Sequence, residues 1–179
     1  MSERPQIPVA VIGVGHLGRH HLRLAATLPG WRCVGAFDPD RPRLESLCAE
    51  LGVTPLDGVD RAVELAAAVV IAAPTVNHAE LAERCLAAGR HVLVEKPIAA
   101  SVAEGESMVA AATRNRVALG VGHVEYYNPA VQAVLARAPR PRYLDAQRLS
   151  PFTRRSLDID VVALRYDQGS PNEKSAQLS

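Results

Sequence analysis

The stretch Val9-Ala10-Val11-Ile12-Gly13-Val14-Gly15-His16-Leu17-Gly18 constrains this chain more than any other. A continuous apolar run of this kind suits a strand covered on both faces, as in a parallel sheet flanked by helices. It leads straight into Gly-x-Gly-x-x-Gly. Each glycine answers a physical demand. Gly13 permits a tight turn, Gly15 lets a pyrophosphate approach the backbone, and Gly18 lets the next helix pack closely on the strand. That helix is predicted from Leu22, Leu24, Ala25, Ala26 and Leu28, with Pro29-Gly30 as its stop. Its N-terminus offers free N–H donors and the positive end of its dipole to phosphate.

Alone, the glycine pattern is a weak signal, but here it has its context. A second apolar strand, Cys33-Val34-Gly35-Ala36-Phe37, ends in Asp38. That acid lies about 20 residues past Gly18, where a carboxylate can accept hydrogen bonds from an adenosine ribose. The plainer reading is a strand–turn–helix with a surface Asp. Strand, glycines, helix, strand and acid in that order favour a dinucleotide site. Asp38 would repel a 2′-phosphate, which predicts NAD(H) over NADP(H). Arg41 and Arg43 leave dual use open.

Strands and helices continue to alternate. Arg41 to Leu51 has Leu44, Leu47, Cys48 and Leu51 at helical spacing, with Gly52 as its stop. Val53 to Leu56 is a short edge strand, since Pro55 is tolerated at an edge. Val59 to Leu65 is a short helix, and Val69 to Ala73 a buried parallel strand. Asn77 to Ala88 is a helix capped by Asn77, with Leu81, Cys85 and Leu86 inward. His91 to Val94 is another buried strand. Val102 to Asn115 is a helix whose Ser101 and Glu104 form a capping box. Val117 to Val121 is a further strand. The rhythm predicts an α/β fold, a doubly wound parallel (Rossmann) sheet over residues 5–124. Asn128 to Ala138 reads as a junction helix with Pro129 at its first position. Tyr143 to Leu149 reads as one strand of a new unit spanning 125–164, lacking its sheet partners. Residues 165–179 are polar and aperiodic, and predict a disordered tail.

The remaining numbers exclude several classes. The 179 residues are 48% hydrophobic with net charge +1, which argues for a globular chain without broad affinity for nucleic acid. Cys33, Cys48 and Cys85 form no Cys-x-x-Cys and read as buried thiols, neither a disulfide set nor a zinc site. The start is polar and lacks the apolar core of a signal peptide. The longest apolar run, Leu65 to Ala73, is well short of the roughly 18 residues of a membrane span. The expectation is a soluble cytoplasmic protein. His16, His20 and His21 lie on or near the first helix without a carboxylate cluster, so no metal site is expected. Arg140, Arg142, Arg148, Arg154 and Arg155 form a loose basic group, either a solvated surface or a contact for a nucleotide-sugar diphosphate.

Two further stretches carry chemistry. Ala73-Pro74-Thr75-Val76-Asn77-His78 follows a central strand, where open α/β sheets bind ligands; plain turn chemistry is the other reading. Val94-Glu95-Lys96-Pro97 sends a charged pair off the end of a buried strand on the same side. A partly buried Lys96 could hold a substrate hydroxyl and move its proton, with Pro97 fixing the loop through a cis bond. The other reading is a surface ion pair.

The glycine loop, Asp38, Pro74-Thr75 with His78, and above all Glu95-Lys96-Pro97 together resemble the glucose–fructose oxidoreductase / inositol dehydrogenase / MocA family. Gly120-Val121-Gly122-His123-Val124-Glu125 with Asn128-Pro129-Ala130 resembles the end of that family's cofactor domain. Arg148 to Thr153 with Leu157 to Val162 is similar to a branch that includes UDP-N-acetylglucosamine 3-dehydrogenases. The resemblance covers roughly residues 5 to 162.

The resemblance implies a nicotinamide-dependent dehydrogenase acting on a sugar, nucleotide-sugar or cyclitol hydroxyl. It implies Lys96 as the catalytic residue. Cofactor contacts would come from Gly13, Gly15, His16, Leu17, Gly18, Asp38, Ala73, Pro74, Thr75, His78, Glu95, Lys96 and Pro97. It implies a homo-oligomer built through the C-terminal sheet of complete relatives. A histidine of the second domain normally shares the proton work, shortly after the stretch matching Asp160-Val161-Val162. Here Ala163-Leu164-Arg165-Tyr166-Asp167 follows, no histidine exists beyond His123, and the substrate-domain sheet is missing. The expectation is a truncated chain that binds cofactor without turning over. A non-catalytic dinucleotide-binding module is the alternative. A methyltransferase, the third reading, usually carries an acid at the end of its first strand, where this chain has Ile12.

Overall fold

A computed structural model describes residues 6–137, 143–144 and 166–167. The chain divides into two compact units, Met1–Val124 and Glu125–Ser179. The first holds five strands: β1 (Ile7–Ile12), β2 (Trp31–Phe37), β3 (Ala68–Ile71), β4 (His91–Val94) and β5 (Leu119–Val121). All are parallel, in the order β2-β1-β3-β4-β5. Five helices connect them: α1 (Gly18–Thr27), α2 (Arg41–Leu51), α3 (Val59–Leu65), α4 (His78–Ala87) and α5 (Val102–Asn115). This is the doubly wound α/β sheet, and the order in which strands are added switches sides between β1 and β3.

Alternation along β1 separates two cores. Val9 and Val11 pack with Leu22 and Ala25 of α1 and Leu44 and Cys48 of α2 on one face. Ala10 and Ile12 pack with Ala62, Leu86 and Met108, from α3, α4 and α5, on the other. The side-chain period of two is what gives one strand to both layers. Cys48 and Cys85 are buried, and burial pushes the Cys85 thiol up to about 11. Cys33 is half-buried.

Local chemistry sets most element ends. Asp40 caps α2 by accepting from Arg43 N, and Gly52 closes it in the left-handed region. Ser101 and Glu104 complete the capping box of α5. Several expected elements differ. On α1 only Gly18, Leu22 and Ala25 are buried, while Leu24 and Leu28 are exposed, so its inward stripe is narrower than the leucines imply. Val53 to Leu56 forms an isolated bridge, Ala36 to Pro55, instead of a strand. Gly35 makes the approach possible, because a Cβ there would lie 2.6 Å from Leu56. The paired part of β3 ends at Ile71, before the expected Ala73. β5 begins at Leu119, because Ala118 N–H donates to the His91 ring. Asn77 does not cap α4. Its N–H closes a 3-10 turn over Thr75–Asn77, and its own backbone is already helical.

The second unit contains α6 (Pro129–Leu135), capped by Asn128, whose side chain accepts from Ala130 N–H. It stops short of the expected Ala138. Tyr126 and Tyr127, both exposed, meet edge to face at 5.3 Å. Tyr143–Leu144 (β6) pairs antiparallel with Tyr166–Asp167 (β7). At these two positions the expected strand has a partner; the rest of residues 165–179 lies outside the described residues. Residues 145–149 and the five arginines from Arg140 to Arg155 lie outside the described residues.

Candidate functional site

The candidate site lies on the C-terminal edge of the sheet, at the crevice between β1 and β3. The glycine loop is shaped by what cannot fit. Gly13 has φ +87°, and a Cβ on it would lie 2.6 Å from the Ala72 carbonyl oxygen. A Cβ on Gly18 would lie 1.9 Å from the Gly13 carbonyl oxygen. The loop is thus folded onto itself and against the end of β3. Gly15 is different: a Cβ there meets only Arg43 Nη1, at 4.0 Å. The space beside Gly15 is a cradle that a side chain would occupy. No side chain caps α1, and its first turn contains no acid. Beside this end of α1 lies a groove of about 290 Å³ lined by Val14, Gly15, His16, Arg19, Arg43, Ser46 and Leu47. Geometry and dipole suit a pyrophosphate.

Asp38 fixes the next wall. It is 6% exposed, and its carboxylate accepts from Val14 N–H and from Asp40 N–H, both at 2.8 Å. The end of β2 is thereby tied to the glycine loop. Arg43 Nη2 stands 3.6 Å from Asp38 Oδ1 and 2.6 Å from Asp40 Oδ2. A carboxylate beside the loop, with lone pairs left to accept, is what a ribose diol requires.

Ala73, Pro74 and Thr75 form the third wall, after β3. His78 is not at the surface of this wall. It is 1% exposed, with Nε2 at 2.9 Å from the Ala73 carbonyl oxygen and Nδ1 at 2.9 Å from that of Pro97. Its ring nitrogens are spent on backbone. Glu95, 8% exposed, is also directed inward. His21 Nε2 donates to its Oε1 at 2.7 Å, and Lys96 N–H donates to its Oε2 at 3.2 Å. Gly122 makes room for that carboxylate, since a Cβ there would come within 3.1 Å of it. Lys96 and Pro97 are exposed, and their peptide bond is cis. The partial burial expected of Lys96 is not found.

His16 and Leu17 are exposed at the loop tip, and the His16 ring meets His20 edge to face at 6.0 Å. Among the described residues no group of three metal-ligating side chains occurs. No described helix is long and apolar enough to cross a membrane. The glycines and Asp38 were visible as local patterns. His21 was seen only as one of three helix histidines, and nothing local signals a partner 74 residues away.

The site's elements recur in known proteins. Residues 7–123 match the GFO_IDH_MocA family, described as an oxidoreductase family with an NAD-binding Rossmann fold. The UDP-N-acetylglucosamine 3-dehydrogenase of Acidithiobacillus ferrooxidans is 39% identical over 85% of this chain and 48% of its own. Its solved structure superposes with a TM-score of 0.81 at 37% identity, covering 88% of this chain and 52% of that one. GenD2 from gentamicin A biosynthesis, solved in complex with NAD, gives a TM-score of 0.72 at 29% identity over 80% of this chain and 42% of its own. The chain spans about half the length of these relatives. By fold, motif and match, it belongs to the Gfo/Idh/MocA oxidoreductase family and carries that family's NAD-binding Rossmann fold.

Proposed function

We propose that residues 6–124 bind NAD(H) along the strand edge and act in a dehydrogenase that oxidises a hydroxyl of a sugar, nucleotide sugar or cyclitol. One observation carries the cofactor part: the buried Asp38 carboxylate is hydrogen-bonded to Val14 of the glycine loop at 2.8 Å. That bond sets a carboxylate beside the glycine loop, which supports reading the two as ribose acceptor and pyrophosphate cradle. Asp38 favours a 2′-hydroxyl over a 2′-phosphate, and Arg43 at 3.6 Å moderates the preference without reversing it. Bound NAD⁺ supplies a hydride acceptor for the carbon bearing the hydroxyl. Lys96, exposed beside this edge, meets the substrate hydroxyl and handles its proton. Kinship with a UDP-N-acetylglucosamine 3-dehydrogenase supports a nucleotide sugar as the first substrate to try.

The test is calorimetric titration of the full chain with NADH and NADPH. A second arm assays NADH formation with UDP-N-acetylglucosamine and with inositol. Saturable NADH binding, tighter than NADPH, is expected. No binding of either nucleotide would overturn the cofactor reading. The same chain supplemented with a substrate domain from a relative tests the reaction: it should reduce NAD⁺ with one of these substrates.

A further inference from the structure

We propose that His78 is a positioning residue that holds the backbone after β3 to the backbone at Pro97, and so sets where Lys96 stands beside the cofactor cleft. The inference rests on the reading of this edge as an NAD site. It starts from a contact that packing alone does not require. The ring is 1% exposed, at the first residue of α4, and both of its nitrogens lie 2.9 Å from backbone carbonyl oxygens. A carbonyl oxygen only accepts and a neutral imidazole carries one N–H, so such a ring donates to one of the two carbonyls at a time and lies at contact distance from the other. One contact reaches Ala73, five residues back; the other crosses to Pro97, 19 residues on.

Those two carbonyls belong to neighbouring loops. β3 and β4 are adjacent and in register, so both loops leave the same edge. Ladder bonds reach Ala72 N–H and Glu95 N–H, and among the described residues none is found at Ala73, Pro74, Lys96 or Pro97. The paired part of β3 has ended at Ile71 and that of β4 at Val94. Pro74 and Pro97 have no N–H to give. His78 supplies the missing cross-link. The loops also have a place along the cofactor. Asp38 at the end of β2 takes the adenosine ribose and the loop after β1 takes the pyrophosphate. In the strand order the next positions are β3 and β4, which fall to the nicotinamide half. His78, 1% exposed, acts through Ala73-Pro74 and Lys96-Pro97.

This predicts a split between cofactor fragments. ADP-ribose probes the adenosine half and NADH probes the whole length. In the full chain, NADH is expected to bind more tightly than ADP-ribose. His78→Phe keeps a ring but donates nothing. It should lower NADH affinity by about 10-fold while ADP-ribose changes by less than about 2-fold, as expected for lost hydrogen bonds at one end only. His78→Gln, whose amide donates to at least one carbonyl, should recover part of the loss. Equal weakening of both ligands would make His78 a general core residue and overturn the proposal, as would unchanged NADH affinity. NADH binding no tighter than ADP-ribose in the parent chain would overturn it too. Should His78→Phe fail to fold, His78→Gln is judged by the same ratio, with an unchanged ratio overturning the inference. If the parent chain binds neither ligand, the NAD reading itself fails, which is a separate result.

Discussion

The loop after β1 and the loop after β4 leave the same edge of the sheet, but close backbone packing dominates in the first and distant side chains in the second. The first is fixed by absence. Gly13 and Gly18 leave no room for a Cβ, at 2.6 and 1.9 Å from backbone oxygens, and the chain has one way to fold there. The second is fixed by distant side chains. His21 of α1 holds Glu95, and His78 of α4 holds Pro97. A loop shaped by sterics shows its code in its own glycines, even where the packing partner is Ala72 of the next strand's end. A loop shaped by tethers is encoded elsewhere in the chain, and removing a tether should loosen the loop without unfolding the domain.

The largest expected effect breaks the first loop. Gly18→Ala forces a methyl into the Gly13 carbonyl. It should cost more than about 3 kcal/mol of stability and abolish NADH binding, since backbone cannot relax as a side chain can. Gly15→Ala is the internal control. Its methyl enters open space, so the melting temperature should stay within about 2 °C of the parent. NADH affinity should nonetheless fall by about 1.5–3 kcal/mol, through displaced phosphate hydrogen bonds. Thermal melts and titrations of the two variants should therefore diverge. If Gly15→Ala melts early as well, the loop is not a cradle waiting for a ligand.

Asp38→Ala comes next, with about 1.5–3 kcal/mol of NADH affinity lost, the worth of hydrogen bonds to a charged acceptor. NADPH should lose less, because the carboxylate repels its 2′-phosphate. A titration in which both nucleotides weaken alike would assign Asp38 to holding Val14 alone. On the second loop, His21→Ala leaves the buried Glu95 without the partner at 2.7 Å. A stability loss of about 1–3 kcal/mol is expected, the cost of an unpaired buried group. A denaturant midpoint equal to that of the parent would show that the loop is held by something other than this pair.

The same contrast explains what could be read from the chain. Val9 to Gly18, Asp38, the Ser101–Glu104 box and the Asp40–Gly52 bounds of α2 are local codes, and the structure returns each. The departures have other causes. Asn77 fails as a cap because its N–H closes the 3-10 turn Thr75–Asn77 and its own backbone is already helical. Leu24 and Leu28 keep helical spacing but fall outside the narrow stripe of Gly18, Leu22 and Ala25 that meets the sheet. One of the two readings of Glu95 made it half of a surface pair with Lys96, yet it turns inward to a histidine 74 residues away. No periodicity in one segment carries that information.

Lys96 gives the smallest expected effect on fold and cofactor binding and sharpens the comparison most. Both tethers act on its neighbours: His21 on Glu95 and His78 on Pro97. Its own side chain is exposed, and the one hydrogen bond found for this residue, to Glu95 at 3.2 Å, uses the backbone N–H. Lys96→Ala leaves that N–H in place. Stability should therefore change by less than about 0.5 kcal/mol, as for other exposed sites. NADH affinity should also stay within about 2-fold, which is under roughly 0.5 kcal/mol. In the chain completed with a substrate domain, the same change should lower kcat by about 10²–10⁴-fold, the usual contribution of a general acid–base group. A residue whose removal spares fold and cofactor but stops the reaction has been carried into place by others. If Lys96→Ala instead lowers the melting temperature as much as His21→Ala does, its side chain belongs to the tethering of the loop. The division between a fixed frame and a presented lysine would then be wrong.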